Sequence, residues 1–424
     1  MAEARGLRRR QYLQRLAGGV KRYTYGTHRV RAPEDMLRSV LPRASLAGVT
    51  RVANITGLDR VGIPVAVCVR PNAQTLSQAA GKGLTLDQAI LSAVMEGIEL
   101  FHAESTTLPT RFEPYAAIAE RHPVLPLEHL PLTRHSLFSP RIPERWTFGW
   151  DLIQQQRVAV PVDLVALGGR TQDPTHLFSF YSSSHGLACG ATLVEAIVVG
   201  LLEVIEHDAV ACWRVAADRF GQSIPRVRLE TATGFPLVVR ILDQLERARL
   251  RPIVYDCSVD TEVPVYWALL YDTTTRSVGV AEGSGAHVDP EVALVRALTE
   301  AAQARAVAIA GARDDCFGRD LMRIRLTDSR RRTELLESQP PTVDLRVRRS
   351  VASPAFGTDL EYLLGRLIQI GVTNVVAVEL TQSEYRGVLS AVRVIVPMLA
   401  GPGFEDGHPS PRAEAFATRM AECS

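Results

Sequence analysis

One succession of hydrophobic and polar positions recurs three times along this chain. In "LSQAAGKGLTLDQAILSAVMEGIELFHAES", "GLACGATLVEAIVVGLLEVIEHDAVACW" and "VGVAEGSGAHVDPEVALVRALTEAAQARAVAIAG", a Gly-rich stretch is followed by a long apolar helix. The Gly-rich stretches read as loops or turns that deliver the chain to the helices. Elsewhere "GVTRVANITGLDRVGIPVAVCVRP" predicts strand, turn and strand, and "RVAVPVDLVAL" predicts a further strand. "PLVVRILDQLERARLRPIVYDCS" with "PVYWALLYD" predicts a helix and two strands, and "LEYLLGRLIQIGVTNVVAVEL" with "AVRVIVPMLA" predicts the same. The Pro-, His- and Arg-rich section 108–150 reads as an insertion or a connection over the surface. Such alternation predicts an α/β or α+β fold with helices packed on mixed β-sheets. Residues 1–45 form an N-terminal arm, 46–400 the main body, and the Gly- and Pro-rich 401–424 a loop and tail.

Composition narrows the function. A chain of 424 residues, 46% hydrophobic and 22% charged, has ample material for a core, and a net charge of +2 makes no general case for nucleic acid or an anionic membrane. No apolar run suggests a membrane span, and the basic start lacks a secretory pattern, so the expected location is cytoplasmic. The cysteines, at 68, 189, 212, 257, 316 and 423, include no C-x-x-C and read as small buried residues. Of 48 basic side chains only Lys21 and Lys82 are lysines, and Lys82 stands in a Gly-rich stretch where a compact ammonium has a use.

The apolar helices carry the chemistry. At 100° per residue, Ser92, Glu96 and Glu99 fall within about 60° of one another, while Glu195 and Glu206 lie about 20° apart with Glu203 about 80° from Glu195. Their neighbours are apolar nearly all round, so these carboxylates face something specific. Burying them unpaired is expensive; arginines from elsewhere, solvent or divalent metal must compensate. Hard oxygen ligands without His or Cys suit Mg²⁺, which binds through few carboxylates, water and nucleotide phosphates. In the third helix Glu300, Gln303 and Arg305 follow "GSGAH", an arrangement that suits phosphate contact. No P-loop, clean G-x-G-x-x-G or H-E-x-x-H is present.

These motifs, in order from 46 to 400, resemble the YcaO family: "ITGLDRVGIPV", the S-x-x-x-E-x-x-E helix of Ser92, Glu96 and Glu99, the second acidic helix of Glu195, Glu203 and Glu206, the glutamine–arginine element of Gln303 and Arg305, and "VRVIVPML". There are departures. Glu206 is followed by His207 rather than Arg, His185 and Ala191 stand where relatives often carry Asn, and the proline-alternating tail of azoline-forming members is lacking.

The resemblance implies a YcaO catalytic domain whose acidic helices converge on a nucleotide. It implies ATP-dependent phosphorylation of a backbone amide in a precursor peptide or protein, then nucleophilic attack giving an azoline, a thioamide or, with an amine, a macroamidine. On it, Glu96, Glu99, Glu195, Glu203 and Glu206 hold Mg²⁺, and Lys82, Ser92, Gln303 and Arg305 contact ATP. The extended "ITGLDRVGIPV" resembles stand-alone members that act beside a TfuA-type partner, the group associated with thioamides. A separate protein is then expected to recruit the leader peptide or supply sulfur, and homodimers follow by analogy. The competing class is a non-catalytic nucleotide-binding accessory that presents a peptide to another enzyme.

Among the remaining residues, His102 and Glu104 read as locally satisfied, Asp289 as a helix N-cap, and Cys189 as a buried thiol. His287 could serve function or structure equally. Arg313, Asp314 and Asp315 read as a salt-bridged turn or as part of the nucleotide site.

Overall fold

The computed structural model describes residues 12–168, 177–274, 279–311, 339–399 and 410–422. Arg313, Asp314, Asp315, Cys316 and Cys423 lie outside them. In chain order the main elements are α1 (Pro33–Val40), β1 (Arg51–Asn54), β2 (Val65–Val69), β3 (Gln78–Lys82), α2 (Leu86–Glu104), β4 (Arg111–Pro114), α3 (Tyr115–Ala119), β5 (Pro143–Asp151), β6 (Gln156–Pro161), β7 (Leu187–Gly190) and α4 (Leu193–Phe220). There follow β8 (Val227–Arg228), α5 (Pro236–Arg247), β9 (Leu250–Asp256), β10 (Val265–Asp272), β11 (Ala281–Ala286), α6 (Pro290–Ala310), β12 (Val343–Asp344), α7 (Phe356–Gln369), β13 (Val376–Glu379), β14 (Ser390–Ile395) and α8 (Pro411–Glu422).

The architecture is α+β. Strands β1-β2-β3 form one antiparallel sheet and β11-β10-β9 a second, while β4-β5-β13-β14-β7 form a third with β6 paired to β5. The ladders of these three sheets are antiparallel, whereas the short β8–β12 pairing is parallel. Strand β5 belongs to the third sheet, so the end of the 108–150 section is sheet rather than surface connection.

The Gly-rich stretches are strands, not turns. Gln78–Lys82, Leu187–Gly190 and Ala281–Ala286 each run straight into a helix that folds back on its own strand. Glycine is needed because the helix backbone lies directly on the strand: a Cβ on Gly81 would meet Ala93 N at 2.1 Å, and one on Gly283 would meet Ala301 N at 2.2 Å. Each helix starts at a capping side chain. Thr85 accepts from Gln88 N, Thr192 from Glu195 N, and Asp289 from Glu291 and Val292 N.

Helix α4 is buried on almost every side, with Ile197, Leu201 and Ile205 wholly enclosed. Burial of each such side chain contributes roughly 1.5–3 kcal/mol. Helix α8 packs along α4, and Arg412 at its start pairs with the buried Asp208 at 2.9 Å, so the end of the described chain is helical. The N-terminal segment is also built in: Val20 bridges to Ala355, and buried Lys21 pairs with Asp359. Among the described residues no helix is long and apolar enough to cross a membrane.

Candidate active site

A cavity of ≈ 380 Å³ lies where the three strand–helix units meet. The first unit contributes Lys82, Ser92, Glu96 and Glu99, the second Glu195, Glu203 and Glu206, and the third Arg296 and Glu300. Arg29 and Arg31 enter from the N-terminal segment.

The units hold one another in a ring through these same side chains. From α2, Glu99 Oε1 accepts from the backbone N–H of Cys189 in β7 at 2.7 Å. From α4, Glu206 accepts from Ser284 Oγ at 2.6 Å and from the N–H of Ala286 at 2.9 Å, both in β11. From α6, Glu300 pairs at 2.5 Å with Lys82 of β3, and Gln303 Nε2 donates to Ala80 O at 2.8 Å. Each helix therefore reaches the next unit's strand, and the third closes on the first.

Compensation of charge is incomplete. Six carboxylates line the cavity against the cations Arg29, Arg31, Lys82 and Arg296, and two of the approaches are long: Arg29 to Glu195 at 3.8 Å and Arg296 to Glu206 at 3.7 Å. Burial drives Glu99 well above the usual carboxylate range, with Glu203 and Glu96 adding to it. Burial and then the charge of Glu206 push Glu203 up to about 8, and burial raises Glu195 despite Arg29. Glu300 is the exception, because Lys82 outweighs its burial and holds it low. Such a site favours protonation or added cations.

The sequence profile described as YcaO cyclodehydratase, ATP- and Mg²⁺-binding, matches residues 80–400. The chain belongs to the YcaO family. It is 32% identical over 403 residues, 91% of this chain and 93% of the other, to a Rhizobium leguminosarum bv. trifolii protein from the tfuA 3′ region. A YcaO structure from Methanopyrus kandleri bound with AMPPCP and Mg²⁺ matches at a TM-score of 0.72 and 25% identity, over 92% of this chain and 98% of that one. A heterocyclase in complex with substrate and cofactor shares the fold at a TM-score of 0.75 and 21% identity, over 90% of this chain and 53% of the other. The family places this YcaO chain's chemistry in the ATP-dependent cyclodehydration class, with ATP and Mg²⁺ as cofactors.

The residues present fit that pair. Among the described residues no three His, Cys, Asp or Glu side chains already stand close enough to hold an ion. Mg²⁺ does not require such a cage, since it binds through one or two carboxylates and completes its shell with water and phosphate oxygens. The excess of carboxylates supplies the former, and the cavity has a volume within the usual range for small ligands.

Of the nine residues singled out from sequence, the structure brings Lys82, Ser92, Glu96, Glu99, Glu195, Glu203 and Glu206 to this YcaO cavity. Gln303 and Arg305 are not on its wall. Gln303 braces β3, with its Oε1 buried and unpartnered. Arg305 is buried between Asp59 at 2.9 Å and Asp272 at 3.0 Å. The cations on the wall that sequence reasoning missed are Arg29, Arg31 and Arg296. Arg296 stands in the apolar run "VALVRALTE" and carried the same signal as the glutamates; Arg29 and Arg31 sit in the segment read as an N-terminal arm apart from the main body.

Other readings resolve locally. His102 Nδ1 lies 2.7 Å from Ile98 O, and Glu104 pairs with Arg70 at 2.6 Å. His287 packs edge-on against His28 at 4.6 Å, its Nδ1 accepting from Asp289 N. Cys68, Cys189, Cys212 and Cys257 are buried free thiols.

Proposed function

We propose that this chain uses ATP to activate a backbone amide in a ribosomally made peptide or protein, and that the product is a thioamide. The observation that carries the reading is the cavity itself: three helices aim six carboxylates at one space, one of them, Glu300, held by Lys82, and they outnumber the four arginine and lysine cations on the wall. A pure scaffold gains nothing from that desolvation.

On this reading Glu96, Glu99, Glu195, Glu203 and Glu206 hold Mg²⁺, which when bound neutralises and orients the phosphates. Lys82, Ser92, Arg29 and Arg296 bind and align the triphosphate, and Gln303 and Arg305 act from behind the wall by fixing β3 and the Asp59 turn. The γ-phosphoryl group passes to the amide oxygen with ADP leaving, sulfide adds to the activated carbon, and phosphate departs with the former amide oxygen. Alignment and charge neutralisation are what such a transfer demands of a protein. The relative from the tfuA region supports a TfuA-type partner as the supplier of sulfur or of the substrate; attack by a neighbouring Cys, Ser or Thr would give an azoline instead.

The test is incubation with ATP, Mg²⁺, a sulfide source and candidate peptides encoded beside this chain. Release of ADP and phosphate that depends on peptide, with exchange of one oxygen for sulfur by mass spectrometry, supports the proposal. Loss of water identifies an azoline, and nucleotide binding without any turnover identifies an accessory.

A further inference from the structure

A second cavity of ≈ 1050 Å³ adjoins the first. Their partition is one turn of α4 and the loop before β7. Glu203 and Glu206 line the nucleotide cavity while Val204 lines the larger one; Ser184 faces the first, Ser183 and His185 the second, and His207 lines both. The imidazoles of His185 and His207 stack at 3.9 Å with an interplanar angle of 15°. Buried Arg393 fixes the loop by donating to His185 O at 2.8 Å and Val165 O at 3.3 Å.

The two cavities differ in chemistry. The larger one is walled by apolar side chains, among them Leu130, Leu132, Leu164, Ile370, Val396 and Met398. Of its charged lining, Arg412 pairs with Asp208 at 2.9 Å and Asp260 at 2.5 Å, and Arg419 with Asp260 at 3.3 Å, while Glu128 and Arg134 are solvent-exposed. A cavity that sets apolar walls beside polar groups suits an organic ligand with both kinds of surface rather than phosphate or metal alone. Amide activation requires the acceptor to meet the nucleotide from outside its site, and His207, which lines both cavities, marks the place where the two adjoin.

We propose that the larger cavity receives the substrate polypeptide, as an extended segment carrying an apolar side chain next to the amide to be modified. The proposal rests on the amide-activating reading above. Binding there places the amide beside the His185–His207 partition, with apolar side chains selected by the walls and charged ones excluded by the cost of desolvation.

The experiment is photo-crosslinking of the full chain, with and without Mg²⁺ and AMPPCP, to blocked hexapeptides on a Gly-Ser background. Each carries one benzoylphenylalanine and one Leu, Phe, Asp or Lys, and labelled positions are read by mass spectrometry. We expect labelling at Leu132, Ile370 and Met398, stronger for the Leu and Phe peptides. Ala415→Trp, at an exposed position on α8 beside the cavity, should cut labelling about tenfold while AMPPCP affinity stays as in the parent. Leu132→Trp, on an exposed part of the wall, gives the same reading should Ala415→Trp lower thermal stability. Labelling scattered outside the cavity, equal labelling by Asp or Lys peptides, or undiminished labelling of both Trp variants would overturn the proposal. Failure of the unaltered chain to bind AMPPCP would instead remove the functional reading, and the nucleotide-free crosslinks would still decide what this cavity holds.

Discussion

Around Arg305, two arginines and two aspartates meet: Arg305 holds Asp59 and Asp272, and Arg60 holds Asp272 at 2.7 Å from the solvent side. Around the ≈ 380 Å³ cavity proposed for the nucleotide, six carboxylates meet four arginine and lysine cations, and two of the contacts are stretched to nearly 4 Å. Both groups are buried ionisable clusters contributed by elements distant in sequence, yet in the first two arginines pair with two aspartates, while in the second carboxylates outnumber cations and burial raises Glu99, Glu195 and Glu203. Buried charge costs free energy wherever it lies. Balance marks a group that holds the fold; on the proposed reading, imbalance marks one whose missing cations arrive with a ligand.

The two groups should therefore fail in opposite ways. Arg305→Met strips the shared partner from two buried aspartates, and unfolding experiments should show a loss of about 3–5 kcal/mol, with AMPPCP affinity of the folded protein unchanged. A variant that keeps its stability but loses nucleotide would return Arg305 to the list of direct contacts. Glu206→Gln should do the reverse. The amide still accepts from Ala286 N and can donate to Ser284 Oγ, and one like charge beside Glu203 is gone, so the melting temperature should hold or rise. Mg²⁺-dependent ATP turnover should fall about hundredfold or more; turnover near that of the parent would remove Glu206 from the magnesium set.

Much of the imbalanced group was legible in the sequence, and the reason is physical. A glutamate inside an apolar helix violates the pattern that placed the helix, so Glu96, Glu99, Glu195, Glu203 and Glu206 stood out without any knowledge of their neighbours. An arginine in the same setting is ambiguous. Arg305 and Arg296 look alike along α6, and only partners far away in sequence separate them: Asp59 claims Arg305, whereas Arg296 is left at the cavity. The glycine stretches misled for a related reason. Glycine in a turn supplies backbone freedom, but in β3 and β11 it supplies room for a helix backbone, which a one-dimensional reading cannot distinguish.

Acidity offers a gentler comparison. The folded pKa of Glu203 stands at about 8, above the ordinary 4.5, so protonation favours the folded state. Its contribution is fully present below the ordinary value and is lost as pH rises through about 8. In ligand-free protein the unfolding free energy should drop across that interval by an amount on the order of 1 kcal/mol, since solvent reaches the cavity, and the melting temperature should fall with it. Glu203→Gln should flatten the slope, and Mg²⁺ with AMPPCP should stabilise more at the alkaline end. A slope unaffected by the substitution would assign the effect to other carboxylates.

The mildest change should come from the outer edge of the balanced group. Arg60 is 41% exposed, and it also donates to Ala248 O at 2.6 Å. Removing it by Arg60→Ala leaves Asp272 still paired with Arg305, so the buried carboxylate is not orphaned. The loss should stay near about 0.5–1 kcal/mol, shrink in high salt, and leave ATP turnover untouched. Combined with Arg305→Met, however, the cost should exceed the sum of the two, because Asp272 then loses both of its arginines and keeps neutral donors such as Thr274. Simple additivity of the pair would mean that solvent or another group already neutralises Asp272, and that the balance attributed to this cluster is not what holds it together.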